Sequence, residues 1–145
     1  MIRILFLDDD KTRHEAITRA FVGTTDRFEL VKVKTAAEAI KRINAKEFDI
    51  IMLDHDLGGQ TFVPSVKPDT GYTVACHLEN IHRLSERYRT NPPENRNTRP
   101  YVIVHTMNVV GGINMMKALS GYRAVYIPFE PESLLYACRE HQKTR

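Results

Sequence analysis

The sequence predicts an α/β fold in which a doubly wound parallel sheet carries helices on both faces. Strand-like and helix-like segments alternate five times along the 145 residues, and this alternation is typical of parallel strands joined by helical crossovers. The central segment 50–53 is apolar at every position, which indicates a strand buried on both faces. The C-terminal ends of such strands line the ligand crevice of the sheet.

Each predicted element follows from a local pattern. Short runs of apolar or alternating residues predict strands, the second of them near a sheet edge, at 2–7, 28–34, 50–53, 101–104 and 124–127. Apolar residues at helical spacing predict helices at 11–21, after a capping box at Thr35 and Glu38, from 71 to about 88, at 113–119 and from 131 to about 140. The segment 60–70 is long for a strand-to-helix connection and predicts a lid or binding loop.

Composition and length predict one globular domain that covers residues 1–145. The chain is 42% hydrophobic and 27% charged, as soluble domains are. It shows no membrane-length apolar run and no signal-peptide pattern, so we expect a cytoplasmic protein with reduced Cys76 and Cys138. A net charge of +3 neither requires nor excludes an RNA or nucleotide partner. No DNA-binding module is recognisable.

Acidic residues follow two of the predicted strands. Asp8 and Asp9 come after the first strand, and Asp54 and Asp56 after the third. If these strand ends share one edge, the four carboxylates offer hard oxygen ligands that suit Mg²⁺ or Mn²⁺. The structural alternative is a pair of turns with Asp10 as a helix cap.

Two histidines and a glycine pair fall near the same predicted edge. His55 and His105 follow buried strands, where they form either a proton-transfer pair, metal ligands or ordinary packing residues. Thr106, Asn108 and the amides of Gly111 and Gly112 make a candidate phosphate cradle. The alternative is a loop that uses glycine for its turn geometry.

Taken together, these residues resemble a response-regulator receiver domain across nearly the whole chain. The resemblance is carried by Asp8, Asp9, Asp54, Thr106 and the segment Ile127-Pro128-Phe129. It implies the flavodoxin-like strand order 2-1-3-4-5, an acidic Mg²⁺ site, Asp54 as the phospho-acceptor, and a cis bond before Pro128.

Departures from the receiver pattern resemble a narrower family. Ile127 replaces the lysine that grips the acyl phosphate in receivers, and the motifs LDHDLG and His-Thr-x-Asn follow the third and fourth strands. This combination is similar to the divergent cyclic-phosphate-processing receivers, although Val109 stands where that family carries proline. The resemblance implies a metal-dependent phosphoesterase, a hydrolase that acts on a cyclic phosphate of a nucleotide or RNA end.

The resulting hypothesis assigns a role to each candidate residue. The metal ligands are Asp8, Asp9 and Asp54. In catalysis, Asp54 or Asp56 orients or deprotonates the attacking water, His105 protonates the leaving ribose oxygen, and His55 assists it. The phosphate ligands are Thr106, Asn108, Gly111 and Gly112. The hypothesis requires the ring of His105 to lie within a water bridge of the acids. Two rival readings are a receiver phosphorylated on Asp54 that signals to a protein partner through one face, and a degenerate receiver that serves only as an interaction module.

Overall fold

The computed structural model describes residues 1–88, 97 and 99–144 of the chain. Strands and helices alternate from end to end. The strands are β1 (Ile2–Leu7), β2 (Phe28–Val33), β3 (Ile50–Leu53), β4 (Tyr101–Val104) and β5 (Ala124–Tyr126). The helices are α1 (Lys11–Val22), α2 (Ala36–Ala45), α3 (Gly71–Arg87), α4 (Val109–Ala118) and α5 (Pro131–Lys143).

The strands form one five-stranded sheet in the order β2-β1-β3-β4-β5, and every strand pair is parallel. The predicted fold class and strand order are therefore confirmed. Helices α1 and α5 cover one face, where Ile17 and Leu134 pack against Phe6 and its neighbours. Helices α2, α3 and α4 cover the other face. Strands β3 and β4 are buried at every residue because helices cover both of their faces.

Local capping explains most of the element boundaries. The Asp10 side chain accepts from the Arg13 amide at the start of α1, and the Thr35 side chain accepts from the Glu38 amide at the start of α2. Both caps are as predicted. Helix α4 begins at Val109 rather than at residue 113 because the Asn108 side chain accepts from the Gly111 amide and caps it.

Other sequence expectations need correction. The peptide bond before Pro128 is trans and not cis, and no cis peptide bond occurs among the described residues. The helical spacing of Leu84 predicts that it faces the core, but 36% of it is exposed on α3. The segment 90–100 is rich in Pro and Asn, which predicts a loop, but most of it lies outside the described residues. Within the described part of the chain, no helix is both long enough and apolar enough to cross a bilayer.

Candidate active site

Three aspartates converge at the C-terminal edge of the sheet. Asp8 and Asp9 follow β1, and Asp54 follows β3, whose last residue Leu53 pairs with Leu7. The pairing brings both strand ends to the same level, so that one carboxylate oxygen from each aspartate lies within 4.8 Å of the others. Asp8 and Asp54 are buried and Asp9 is half-buried. The structure thus brings together the three predicted metal ligands.

Arg13 enters this cluster from the first turn of α1. Its Nε lies 2.9 Å from Asp8 Oδ2, and its Nη2 lies 3.3 Å from Asp54 Oδ2. The guanidinium also sits 5.8 Å from the ring centroid of Phe129. Sequence reasoning missed Arg13, although a signal was present: the residue lies three positions after the Asp10 cap, in the turn that leaves the acidic segment.

The ion pair leaves hydrogen-bonding capacity unused. Asp8 Oδ2 and Arg13 Nε are buried, yet neither has a hydrogen-bond partner among the described residues. Their 2.9 Å separation is therefore an electrostatic contact with poor hydrogen-bond geometry. A buried carboxylate oxygen without a donor, beside two further carboxylates, is a donor set that a hard divalent cation fits.

Burial and mutual repulsion disturb the acidities of these groups. Burial and the charge of Asp8 raise the pKa of Asp54 from 3.8 to about 7, although Arg13, the His55 amide and the Thr106 hydroxyl act in the opposite direction. Burial also raises the pKa of Asp8. Both shifts indicate that Arg13 alone does not compensate for the negative charge at this edge.

His105 lies beside the acids but inside the core. Its Nδ1 is 3.8 Å from Asp8 Oδ2, within the predicted reach, and its ring stacks on Phe6 at 5.0 Å. Neither ring nitrogen has a hydrogen-bond partner among the described residues. Burial, assisted by the charge of Arg13, lowers the pKa of His105 to about 3. The ring is therefore neutral at physiological pH.

The buried His55 and Asn108 and the half-buried Asp56 form a hydrogen-bonded network beneath the segment 58–65. His55 Nδ1 lies 2.8 Å from Asp56 Oδ1, and His55 Nε2 lies 2.9 Å from Ser65 Oγ. The Asn108 side chain donates to Asp56 and to the Val63 carbonyl. Burial opposes ionisation of Asp56, but hydrogen bonds from His55, Asn108 and two backbone amides outweigh it and lower the pKa. The side chains of this network are thus occupied in holding the segment in place.

Gly111 and Gly112 lie in the first turns of α4, where their amides have partners. The Gly111 amide donates to Asn108 Oδ1 and the Gly112 amide to the Asn108 carbonyl. A Cβ on Gly111 would lie 2.5 Å from the His55 ring, and one on Gly112 would lie 2.1 Å from the Tyr126 ring. Close ring packing therefore accounts for both glycines, and their assignment to phosphate stays a prediction.

A cavity of about 360 Å³ opens above the carboxylates. Its walls come from the ends of β1, β3 and β4, from α1 and from the segment after β3; they are Asp9, Asp10, Arg13, Asp54, Asp56, Gly59, Gln60, Thr61, Phe62, Thr106 and Met107. His55, His105 and Asn108 do not border it. Ile127, which stands where receivers carry a lysine, packs against the core face that contains Phe6. Among the described residues that line the cavity, Arg13 is the only basic one.

Comparison with solved structures supports the fold. A CheY-like receiver domain from Methanospirillum hungatei has a TM-score of 0.61 at 20% identity, with 100% of this chain and 99% of that chain covered. The receiver domain of a Francisella response regulator has a TM-score of 0.62 at 18% identity, and both chains are covered completely, at 100%.

A response regulator from Burkholderia pseudomallei, solved with a phosphorylated aspartic acid, a calcium ion and citrate, has a TM-score of 0.60 at 17% identity. The match covers 93% of this chain and 65% of that one. At these identities the likeness concerns the fold alone.

Sequence comparison gives a narrower result. No curated protein matches the chain significantly. The model of the cyclic-phosphate processing receiver domain matches residues 3–121, which include all the residues assigned above to the metal, the phosphate or catalysis. The chain belongs to the cyclic-phosphate processing receiver domain family.

Proposed function

We propose that the chain is a metal-dependent phosphoesterase that hydrolyses a cyclic phosphate on a nucleotide or an RNA end. The observation that carries the proposal is the juxtaposition of Asp8, Asp9 and Asp54, with oxygens within 4.8 Å of one another, next to a cavity that Asp9, Asp54 and Arg13 line. Carboxylates of this kind hold a divalent cation, and a guanidinium beside them can pair with a phosphate oxygen.

The three aspartates would hold Mg²⁺ or Mn²⁺. When bound, such an ion neutralises phosphate oxygens and makes a coordinated water more acidic. Arg13 borders the cavity and already touches two of the carboxylates, so it is placed to exchange one of those contacts for a phosphate oxygen. Thr106, which also lines the cavity, would supply a hydroxyl donor for a second oxygen.

Hydrolysis would form a bond between water oxygen and phosphorus and break one bond from phosphorus to a ribose oxygen. Asp54, which lines the cavity, would take the proton that the attacking water loses. The leaving ribose oxygen takes a proton from solvent, because neither His55 nor His105 borders the cavity. We therefore assign His105 to packing beside Asp8, and His55 with Asp56 to holding the segment 58–65.

A receiver phosphorylated on Asp54 is the second candidate. It is favoured by the position of Asp54 after β3 and of Thr106 after β4, which brings both side chains to the lining of one cavity. In that reading Arg13 would take over the grip on the acyl phosphate from the missing lysine, and a protein partner would read one face of the domain. A degenerate receiver without metal or turnover is the third reading.

One panel of assays separates these readings. Purified protein is incubated with 2′,3′-cyclic nucleotides and with RNA that ends in a cyclic phosphate, each with Mg²⁺, Mn²⁺ or EDTA. We expect metal-dependent ring opening that Asp54→Asn abolishes and the exposed acidic variant Glu47→Gln retains. Uptake of beryllium fluoride or acetyl phosphate without ring opening would instead establish the receiver reading, and a calorimetric absence of metal binding would leave only the interaction module.

A further inference from the structure

The rim of the cavity carries two exposed apolar side chains. Phe62 and Met107 both line it, and they are 72% and 78% exposed. Large apolar side chains left in solvent beside a charged cavity point to a ligand that covers them. The cavity thus has a floor suited to phosphate and metal and a rim suited to a flat apolar group.

The Phe62 ring is held at the rim by its neighbours. The Phe62 and Val63 amides donate to Asp56 at 2.6 and 3.1 Å, and the Gly59 amide donates to Asp9 at 2.5 Å. Val63 itself is buried, and its carbonyl accepts from Asn108. The segment is therefore tied to the floor of the site on both sides of the ring.

The backbone conformation of Phe62 is one that few non-glycine residues adopt. Its φ is +53°, in the left-handed region that side chains rarely adopt. Gln60 and Thr61, the two residues before it, also line the cavity and offer an amide and a hydroxyl. An aromatic face next to such groups provides stacking and edge hydrogen bonds, the two interactions by which proteins hold nucleobases.

We propose that Phe62 and Met107 form a base-binding subsite, so that the ligand of this cavity is a nucleoside phosphate whose phosphate lies over the aspartates and Arg13. This inference rests on the proposed function for the phosphate end and adds the recognition of the base. A volume of about 360 Å³ is at the small end of ligand pockets, so the site takes one nucleotide unit.

Binding is measured by calorimetry with Mg²⁺, using adenosine 3′-monophosphate, which cannot be turned over, and the base-free methyl riboside 3-phosphate. Wild type is expected to bind the nucleotide about tenfold more tightly, the order of magnitude of one stacked base. Phe62→Gly, which suits the positive φ, should lose this preference without change in the sugar-phosphate affinity. Phe62→Tyr should keep the preference. Val66→Ala should also keep it, because Val66 is an exposed residue just after the segment 58–65 and does not line the cavity.

Equal binding of the two compounds by wild type, or an unchanged preference in Phe62→Gly, would overturn the subsite. Octyl phosphate binding as tightly as the nucleotide would also overturn it, since the rim would then recognise apolar bulk alone. A ring-dependent preference in a protein that opens no cyclic phosphate would support the subsite and defeat the phosphoesterase proposal. Absence of binding by both compounds would defeat the subsite and the phosphate site together.

Discussion

Replacement of Asp54 by asparagine should stabilise the metal-free protein, and increasingly so as pH rises. Burial and the charge of Asp8 raise the pKa of this carboxyl from 3.8 to about 7. The folded state therefore holds the proton more tightly than the unfolded state does. Between these two pH values each pH unit costs the folded wild type about 1.4 kcal/mol, whereas Asp54→Asn has no charge to lose.

The size of the effect follows from that pH window. From pH 4.5 to pH 8 the stability advantage of Asp54→Asn over wild type should grow by about 3 kcal/mol. Urea unfolding in EDTA at several pH values measures this directly. The control is Val66→Ala, which changes an exposed residue without a titratable group and whose difference from wild type should therefore stay nearly flat with pH. Mg²⁺ at a hundred times its Kd should restore about 2.7 kcal/mol to wild type and little to the variant. A difference between Asp54→Asn and wild type that does not change with pH would refute this electrostatic account of the site.

Three further variants test other parts of the site. Arg13→Met should bind Mg²⁺ several-fold more tightly by calorimetry, since the metal no longer competes with a guanidinium, but should lose cyclic-phosphate turnover; unchanged turnover would remove Arg13 from the mechanism. His105→Leu should be more stable by about 1 kcal/mol, because it removes two buried unsatisfied nitrogens, and should keep its activity; lost activity in a folded variant would return His105 to the mechanism. Gly111→Ala should cost about 1–3 kcal/mol in urea unfolding because its Cβ meets the His55 ring at 2.5 Å, and a neutral result would contradict that packing.

The fold was predictable because its signals are local and mutually consistent. The apolar runs at β1, β3 and β4 are long enough for buried strands, and Asp10 and Thr35 mark the two helix starts that they cap. The start of α4 was not recognised, because Gly111 and Gly112 resemble a loop. The packing that demands them, against the rings of His55 and Tyr126, joins residues far apart in the chain.

The sequence analysis did not determine which way the side chains of His55 and His105 point, and this was the main gap in the predicted site. Both follow buried strands, so their proximity to the sheet edge was predictable, but proximity does not settle which face a side chain occupies. Strand alternation continues past β4: Ile103 packs with α1 and α5, Val104 packs with the opposite face, and His105 returns to the first face against Phe6. Extending the alternation by one residue would have placed His105 in the core.

This chain differs from receivers in where its basic residue lies and not in the charge that the residue carries. Receivers balance three carboxylates with a divalent cation and a lysine after the fifth strand. Here Ile127 is half-buried and packs against the core, and Arg13 touches two of the three carboxylates from α1. With a divalent cation bound, the summed charge of this site would therefore equal that of a receiver site. A phosphate bound to Arg13 would contact α1, which is packed beside the acids, and would make no ionic contact with β5. The link from the site to the connection between β5 and α5 is then the contact of the Arg13 guanidinium with the Phe129 ring in place of an ion pair. A contact of this kind is weaker than a buried ion pair, which favours chemistry in the cavity over transmission through that side of the domain.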